Sequence, residues 1–211
     1  MIAHRGLCGF ERENTIPAFR AAVTNGFDFI ESDLRFTSDG VPVLLHDASI
    51  NRTARNADGT EISSTINIAD ITYAQAMNYD FGIWAGSEYA GTKIPTLYEF
   101  LYFCRDTGCY PYIDCPLTSS ARANLMTVAQ KIVDMAMQDR VTFLATNYLV
   151  LHAYLSVYPN FRVGPLLNSE LNSDKQNQIK LLMSAFNRVF LDCNVDVYNT
   201  YQTTVDAFSE A

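Results

Sequence analysis

The apolar positions of the chain follow two different periods along its length. Residues 27–36, 110–114 and 161–167 are short runs rich in β-branched and aromatic side chains, which is typical of buried strands. Residues 121–138 and 174–186 instead repeat apolar positions at helical spacing. Strands that alternate with helices predict an α/β fold with a parallel sheet covered by helices. The other predicted elements are strands at 2–4, 41–45, 141–145 and 188–191 and helices at 95–105 and 148–157.

The first helix has clear signals at both ends. Asn14 and Thr15 provide a cap, Pro17 lies in the first turn, and Gly26 follows the last turn. Residues 47–93, in contrast, are polar and rich in turn residues, as expected of a long excursion from the core. The alternation fits both a (β/α) barrel and an open doubly wound sheet. The chain contains neither G-x-G-x-x-G nor G-x-x-x-x-G-K-[ST], so the pattern favours neither type of nucleotide-binding fold.

Composition narrows the class of protein. The 211 residues, 48% hydrophobic and 18% charged, suit one globular domain over 1–211. No run of about 18 apolar residues is present, which predicts no membrane span. A catalytic-looking motif begins at residue 4, so no signal peptide is expected, and a cytoplasmic location is predicted unless the chain is a fragment of a larger or membrane-attached protein. The oligomeric state is open.

The net charge of −8 indicates which classes of partner the chain can bind. No basic footprint is evident, which argues against a nucleic-acid partner. An acidic protein that acts on an anionic substrate needs something to cancel the repulsion, and a divalent cation would do so.

Two carboxylates on one strand are the first candidate for chemistry. Glu31 and Asp33 lie two residues apart in an apolar run, so they share a face. Asp39-Gly40 favours a two-residue hairpin turn, which would pair Ser38 with Val41 and place His46 opposite Asp33, about 5 Å away. Like charges on an apolar strand are costly unless a partner neutralises them, so the pattern predicts a site that binds a cation.

A second histidine ends the first predicted strand. His4 and Arg5 lie where α/β proteins assemble their sites. Arg5 can fork onto phosphate oxygens, and two histidines can divide acid and base roles near neutral pH.

Short motifs follow one another along the first hundred residues. They are H-R-G at 4–6, E-N-T at 13–15, E-S-D at 31–33, T-S-D-G at 37–40, H-D at 46–47, R-T at 52–53 and I-P-T-L at 94–97. Together they resemble the glycerophosphodiester phosphodiesterase family. The resemblance is dense in this half of the chain and thin afterwards.

The resemblance implies a set of reacting groups. His4 and His46 match the family's paired acid and base, and Glu31 and Asp33 match its metal-binding carboxylates. The family usually carries E-L-K on the next strand, where this chain has Asp114 in place of the glutamate. Asp114 can still bind a metal, so the expected cofactor is one divalent cation held by oxygen ligands, Mg²⁺ or Ca²⁺.

The resemblance also implies the fold and the substrate. Arg5, Glu13 and Asn14 match positions that contact phosphate or line the same site. The fold would be a TIM-type (β/α) barrel, with 47–93 as a small insertion that covers the active site. The expected reaction is metal-dependent hydrolysis of a small-molecule glycerophosphodiester, such as glycerophosphocholine, to glycerol 3-phosphate and an alcohol.

Two departures from the family leave alternatives open. Pro116 stands where the family has a phosphate-binding lysine, for which Lys93 is a candidate substitute, and 196–211 carry no strand with a W-T-like pair. The C-terminal part of the barrel is therefore expected to be incomplete or diverged. A phospholipase D-like enzyme with an exposed apolar rim and a catalytically impaired binding or scaffold protein are the alternatives. Tyr79, Phe81 and Trp84 would either contact a head group such as choline or form the core of the insertion.

Overall fold

The structure is a computed structural model that describes residues 1–116, 122–167, 172–190 and 192–193. The chain divides into two compact units, Met1–Asp114 and Cys115–Ala211. That 1–211 form a single domain stays a prediction. The expectation about the end of the chain falls on 196–211, which lie outside the described residues.

The first unit is built on three parallel strands. Strand β2 (Phe29–Phe36) lies between β1 (Ile2–Ala3) and β4 (Tyr110–Asp114), and it pairs with both in parallel. Helices α1 (Ile16–Thr24) and α3 (Leu97–Thr107) pack through aromatic rings. The helices and strands fall where the apolar periods predict them, with ends that differ by a few residues.

Helix α1 begins as the capping residues predict. Thr15 is its N-cap, and the hydroxyl accepts from the main-chain N–H of Ala18 at 3.4 Å. Close packing brings the helix against the preceding loop at Gly6, which has a φ of +79°. A β-carbon at Gly6 would lie 2.8 Å from the backbone of Ala18, so this position requires glycine.

The hairpin between β2 and β3 (Pro42–Leu44) differs from the prediction by one residue. Gly40 has a φ of +77° and closes a three-residue loop, in which Thr37 donates its N–H to the carbonyl of Val41 at 3.1 Å. Leu44 therefore pairs with Leu34, and Leu45 donates to the carbonyl of Asp33 at 2.9 Å.

The predicted pairing of His46 with Asp33 is therefore wrong. A slip of one residue moves a side chain to the other face of a strand, and the structure gives the place opposite Asp33 to the buried Leu45. His46 is the second residue after the end of β3, outside the paired region.

Residues 47–93 form short helical turns around an apolar cluster. Short 3₁₀ turns span Ile68–Asp70, Ile83–Ala85 and Ser87–Tyr89, and helix α2 spans Tyr73–Ala76. We call the cluster the insertion core; its buried members are Val43, Leu45, Ile50, Ala54, Ile68, Ala76, Phe81 and Ile94.

The aromatic residues of 47–93 take different places. Phe81 belongs to the insertion core and Tyr79 packs against it, as the core interpretation of the sequence predicts. Trp84 lies under the guanidinium of Arg12, 5.6 Å from the ring centre, and Tyr89 lies 4.3 Å from the same guanidinium. The insertion is thereby tied to the loop that follows β1.

The second unit repeats the alternation of strands and helices. Strand β6 (Arg162–Leu167) pairs in parallel with β5 (Thr142–Ala145), with β7 (Arg188–Val189) and with β8 (Asp192–Cys193). Its helices are α4 (Arg122–Asp134), α5 (Tyr148–Leu155) and α6 (Ser173–Ala185).

Candidate active site

Polar side chains of the first unit meet where β1 and β4 end beside the middle of β2. His4 and Arg5 follow β1, whose last residue pairs with Ile30. Asp114 is the last residue of β4 and pairs in register with Asp33. Parallel pairing therefore brings residues from distant parts of the sequence to one edge of the sheet.

Two carboxylates of this edge are almost fully buried. Glu31 is 7% exposed and Asp33 is 5% exposed. Burial, followed by the charges of Asp33 and Asp114, raises the pKa of Glu31 to about 8. Burial and the charge of Asp33 likewise raise the pKa of Asp114 to about 6. Burial is thus the first cause of both raised pKa values, and the charge of Asp33 is the second.

Arg5 is the cation in direct contact with this pair. Its main-chain N–H donates to Glu31 Oε2 at 2.9 Å, and its Nε lies 3.2 Å from Asp33 Oδ2. Its Nη1 donates to Glu13 Oε1 at 3.1 Å. Arg5 has a φ of +56°, a conformation that a residue other than glycine adopts rarely and that is concentrated at functional sites.

Asn14 is a second partner of Asp33. Its Nδ2 donates to Asp33 Oδ2 at 2.8 Å, while its Oδ1 accepts from the Ser32 hydroxyl at 2.8 Å and from the Asp33 N–H at 3.1 Å. Asn14 is itself buried. Its amide is therefore occupied in orienting a carboxylate, and the substrate contact that the resemblance implies for it stays a prediction.

The two histidines border this edge and are more exposed than the carboxylates. His4 Nε2 lies 3.9 Å from Glu31 Oε2. Partial burial, the charge of Arg5 and the charge of His46 lower the pKa of His4, and nearby carboxylates partly offset this effect. The charge of His46 also lowers the pKa of Asp114 against the larger effect of burial. Contacts through Asp47, Arg52 and Glu13 link His46 to Arg5 at the same edge, even though the hairpin register was predicted wrongly.

The structure adds two residues that the sequence did not single out for a role. His46 Nδ1 lies 2.7 Å from Asp47 Oδ1, and Arg52 Nε donates to Asp47 Oδ2 at 2.6 Å. Arg52 also donates to both oxygens of Glu13, at 2.8 Å each. The H-D and R-T motifs contained these residues, but only the fold brings Arg52 to a glutamate 39 positions earlier in the chain.

The carboxylate oxygens of this edge are donors of the type that a hard divalent cation prefers. In the part of the chain that the structure describes, no three His, Cys, Asp or Glu side chains are grouped closely enough to hold a metal as they stand. Arg5 and Asn14 contact the oxygens of Glu31 and Asp33. Burial first and the charge of Asp33 second raise the pKa of Glu31 and that of Asp114, and carboxylate oxygens are the donors that Mg²⁺ and Ca²⁺ prefer.

The hydrogen bond that Lys93 makes lies within the insertion and not at this site. Its Nζ donates to the main-chain carbonyl of Tyr79 at 3.0 Å, within the insertion.

Among the described residues, no helix is both long and apolar enough to cross a bilayer.

Comparison with known proteins places the chain in a family. The profile of the Glycerophosphoryl diester phosphodiesterase family matches residues 4–197. A glycerophosphodiester phosphodiesterase of Caldanaerobacter subterraneus is 31% identical over 170 residues, covering 79% of this chain and 65% of the relative. Human glycerophosphodiester phosphodiesterase 1 is 39% identical over 115 residues, covering 54% of this chain and 32% of the relative. A rat lysophospholipase D is 29% identical over 143 residues, covering 65% and 40%.

Solved structures share the fold at lower identity. An Oleispira antarctica phosphodiesterase in complex with the product sn-glycerol-3-phosphate has a TM-score of 0.74 and 20% identity, covering 100% of this chain and 96% of that one. A glycerophosphodiester phosphodiesterase from Agrobacterium tumefaciens has a TM-score of 0.73 and 20% identity, covering 97% and 82%.

The fold class is therefore the TIM-type (β/α) barrel that the resemblance implied. The chain belongs to the glycerophosphoryl diester phosphodiesterase family, a family of phosphoric diester hydrolases. It spans less than two thirds of the length of the first curated relatives that it matches.

Proposed function

We propose that this chain hydrolyses glycerophosphodiesters to glycerol 3-phosphate and an alcohol. The observation that carries the proposal is the buried pair Glu31 and Asp33 in contact with Arg5 and bordered by two histidines. Family membership and the product complex of the Oleispira relative support the substrate class.

The histidines would move the protons. One imidazole would take the proton of the attacking hydroxyl, and the other would give a proton to the leaving alkoxide. His4 and His46 suit this division because their rings are exposed enough to reach a substrate, whereas Glu31 and Asp33 are buried. The nucleophile would be water or the glycerol hydroxyl of the substrate, and the second choice gives a cyclic phosphate that ³¹P NMR would detect.

Arg5 would bind the phosphate. Its guanidinium carries a permanent charge and planar donors that match phosphate oxygens. Glu13 accepts from Arg5 and from Arg52, so it would fix the direction in which the Arg5 guanidinium points. Glu31, Asp33 and Asp114 would hold Mg²⁺ or Ca²⁺, which when bound would polarise a phosphoryl oxygen and offset developing charge.

The test is release of glycerol 3-phosphate from glycerophosphocholine with Mg²⁺, Ca²⁺ or Mn²⁺ and after EDTA treatment. We expect His46→Ala to lower kcat by roughly 10²- to 10⁴-fold, the usual contribution of a general acid or base. His152→Ala, which changes the same residue type on α5 of the second unit, is the matched control and should keep full activity. If the wild type releases no product with any of the three cations, the proposal fails, and a binding or scaffold role is left.

A lipid substrate is the second candidate, and one observation favours it. Phe10 is 73% exposed in the loop between Arg5 and Glu13, beside the proposed site. An exposed aromatic side chain there would contact an acyl chain, and one relative is named a lysophospholipase D. Faster turnover of lysophosphatidylcholine than of glycerophosphocholine, reversed in Phe10→Ser, would establish this substrate; equal loss on both substrates would exclude it.

A further inference from the structure

A continuous path of ion pairs joins His46 to the phosphate-side arginine. It runs from His46 through Asp47 and Arg52 to Glu13 and then to Arg5, with contacts of 2.7, 2.6, 2.8 and 3.1 Å. The proposed catalytic roles use only the two ends and Glu13.

The contact with Asp47 fixes which nitrogen of His46 carries hydrogen. Hydrogen bonds from Arg52 lower the pKa of Asp47 despite the partial burial of the carboxyl group. An ionised carboxylate can only accept, so Nδ1 of His46 must be the donor in this contact. Nε2 is then the ring nitrogen available for proton transfer, and it is the atom that Asp47 leaves free.

Arg52 uses both sides of its guanidinium at once. Nε donates to Asp47, and Nη1 and Nη2 donate to the two oxygens of Glu13. The fork geometry matters because the ammonium group of a lysine could not present three donors in one plane to two carboxylates. Hydrogen bonds from Arg52 are also the largest effect that lowers the pKa of Glu13.

We infer that Arg52 is a positioning residue that aligns His46, through Asp47, with the phosphate-binding Arg5, through Glu13. The inference rests on the proposed function, because it assigns the geometry of the same site. Arg52 touches neither a proposed metal ligand nor a histidine in the described contacts, so its effect would act entirely through the two carboxylates.

The first test compares Arg52→Gln, Arg52→Lys and Asp47→Asn in hydrolysis of glycerophosphocholine. We expect Arg52→Gln and Asp47→Asn to lower kcat by about 10- to 100-fold, as for removal of an outer partner of a functional side chain, with KM nearly unchanged. Arg52→Lys should recover little of the loss. Wild-type kcat in Arg52→Lys would overturn the inference, because charge alone would then suffice.

Arg105→Gln is the matched control. Arg105 is ion-paired with Asp106 and is 47% exposed in its side chain, against 43% for Arg52. It lies on α3 of the same unit, away from the path. Its substitution should leave kcat at the wild-type value. The Tm of every variant distinguishes a change in the geometry of the site from a loss of folding. Asp47→Asn, which is isosteric, keeps the test valid if Arg52→Gln unfolds.

A double-mutant cycle separates a positioning role from a merely structural one. Because Arg52 acts on His46 through one of its two carboxylates, Arg52→Gln should lower the residual kcat of His46→Ala by a smaller factor than it lowers the wild-type kcat. Multiplicative losses in the double mutant would overturn the inference.

A spectroscopic readout does not depend on activity. The chain has three histidines, so ¹⁵N-histidine labelling gives three assignable imidazoles. At about pH 8, where an ordinary imidazole is neutral, His46 should show hydrogen on Nδ1 in the wild type and a mixture of tautomers in Arg52→Gln. Unchanged His46 signals in Arg52→Gln would overturn the inference even in an active enzyme. An inactive wild type with this tautomer shift would overturn the proposed function and leave the positioning role intact.

Discussion

The two units use the same alternation of strands and helices but treat polar side chains differently. Among the described residues of the second unit, Thr142 is the buried polar side chain. In the first unit, buried polar and charged side chains concentrate at the strand edge and in the insertion. They are Asn14, Thr15, Glu31, Ser32, Asp33, Thr37, Thr53 and Asp80.

The difference teaches what a functional edge requires of a β/α fold. In the first unit, the amide of Asn14 and the backbone and guanidinium of Arg5 satisfy the buried carboxylates. In the second unit, apolar side chains such as Phe143 and Phe161 fill the interior. A parallel sheet therefore does not require buried charge. The first unit buries charged side chains at a cost in desolvation free energy.

The largest expected effect separates function from stability in the first unit. Glu31→Gln should lower kcat by about 10³-fold or more, about 4 kcal/mol, because a proposed metal ligand is lost. The same change replaces a buried carboxyl group whose pKa is raised by burial first and by the neighbouring carboxylates second, so Tm should rise by roughly 2–4 °C, equivalent to about 1 kcal/mol. Mg²⁺ or Ca²⁺ should raise Tm of the wild type but not of the variant.

Asp139→Asn is the corresponding change in the second unit. Asp139 is an exposed acid paired with Arg188, so its loss should change neither kcat nor stability beyond about 0.5 kcal/mol. If Glu31→Gln keeps wild-type activity, the carboxylate edge is not the active site.

The next effect tests whether the two units fold together. Phe19 packs on Phe100 with ring centres 4.4 Å apart in the first unit, and Phe143 packs on Phe161 at 5.2 Å in the second. Phe19→Ala and Phe143→Ala should each cost about 3 kcal/mol. Trp84 is the single tryptophan and lies in the first unit, so its fluorescence reports that unit while circular dichroism reports the whole chain.

If residues 1–211 form a single domain, Phe143→Ala should lower the Tm seen by Trp84 fluorescence and the Tm seen by circular dichroism by the same amount. If it lowers the transition seen by circular dichroism and leaves the Trp84 transition at the wild-type temperature, the units fold independently and the single-domain prediction is wrong.

A smaller effect concerns the insertion. Asp80 accepts from the N–H groups of Gly82, Ile83 and Gly91 at 2.8, 2.9 and 2.5 Å. Burial would raise the pKa of Asp80, but these bonds and the charge of Lys93 hold it below the ordinary 3.8. Asp80→Asn should cost about 2 kcal/mol at neutral pH, as expected for hydrogen bonds to a charged group.

The pKa of Asp80 also sets the pH dependence. A carboxyl group with a lowered folded pKa contributes stability above its unfolded pKa, and that stability is lost as pH falls below about 3.8. Urea unfolding at neutral and acid pH should therefore show a smaller difference in Asp80→Asn than in the wild type. Asp106→Asn, which changes an exposed acid of α3 paired with Arg105, should keep the wild-type difference.

The smallest effect compares one hydroxyl in each unit. The Thr142 hydroxyl is buried and has no hydrogen-bond partner among the described residues, so Thr142→Val should stabilise the chain by up to about 1 kcal/mol. The Ser32 hydroxyl donates to Asn14, so Ser32→Ala should destabilise by about 1 kcal/mol. Equal changes in both variants would mean that the polar contacts of the first unit are not what holds its buried side chains.

The sequence alone determined the elements and the family. Period and capping predicted α1 and β4, because the spacing of apolar residues and the preference of Thr15 for a cap are local properties. The motifs marked His4, Glu31, Asp33 and His46, because residue types and spacing are read directly from the chain.

Tertiary structure decided how those residues meet. A single residue in the loop closed by Gly40 shifted the register, and local rules do not distinguish a two-residue from a three-residue turn at Asp39-Gly40. The contact of Arg52 with Glu13 spans 39 positions and depends on how the insertion packs against the loop that follows β1. Sequence supplied the groups, and only packing set which carboxylate each cation and each histidine faces.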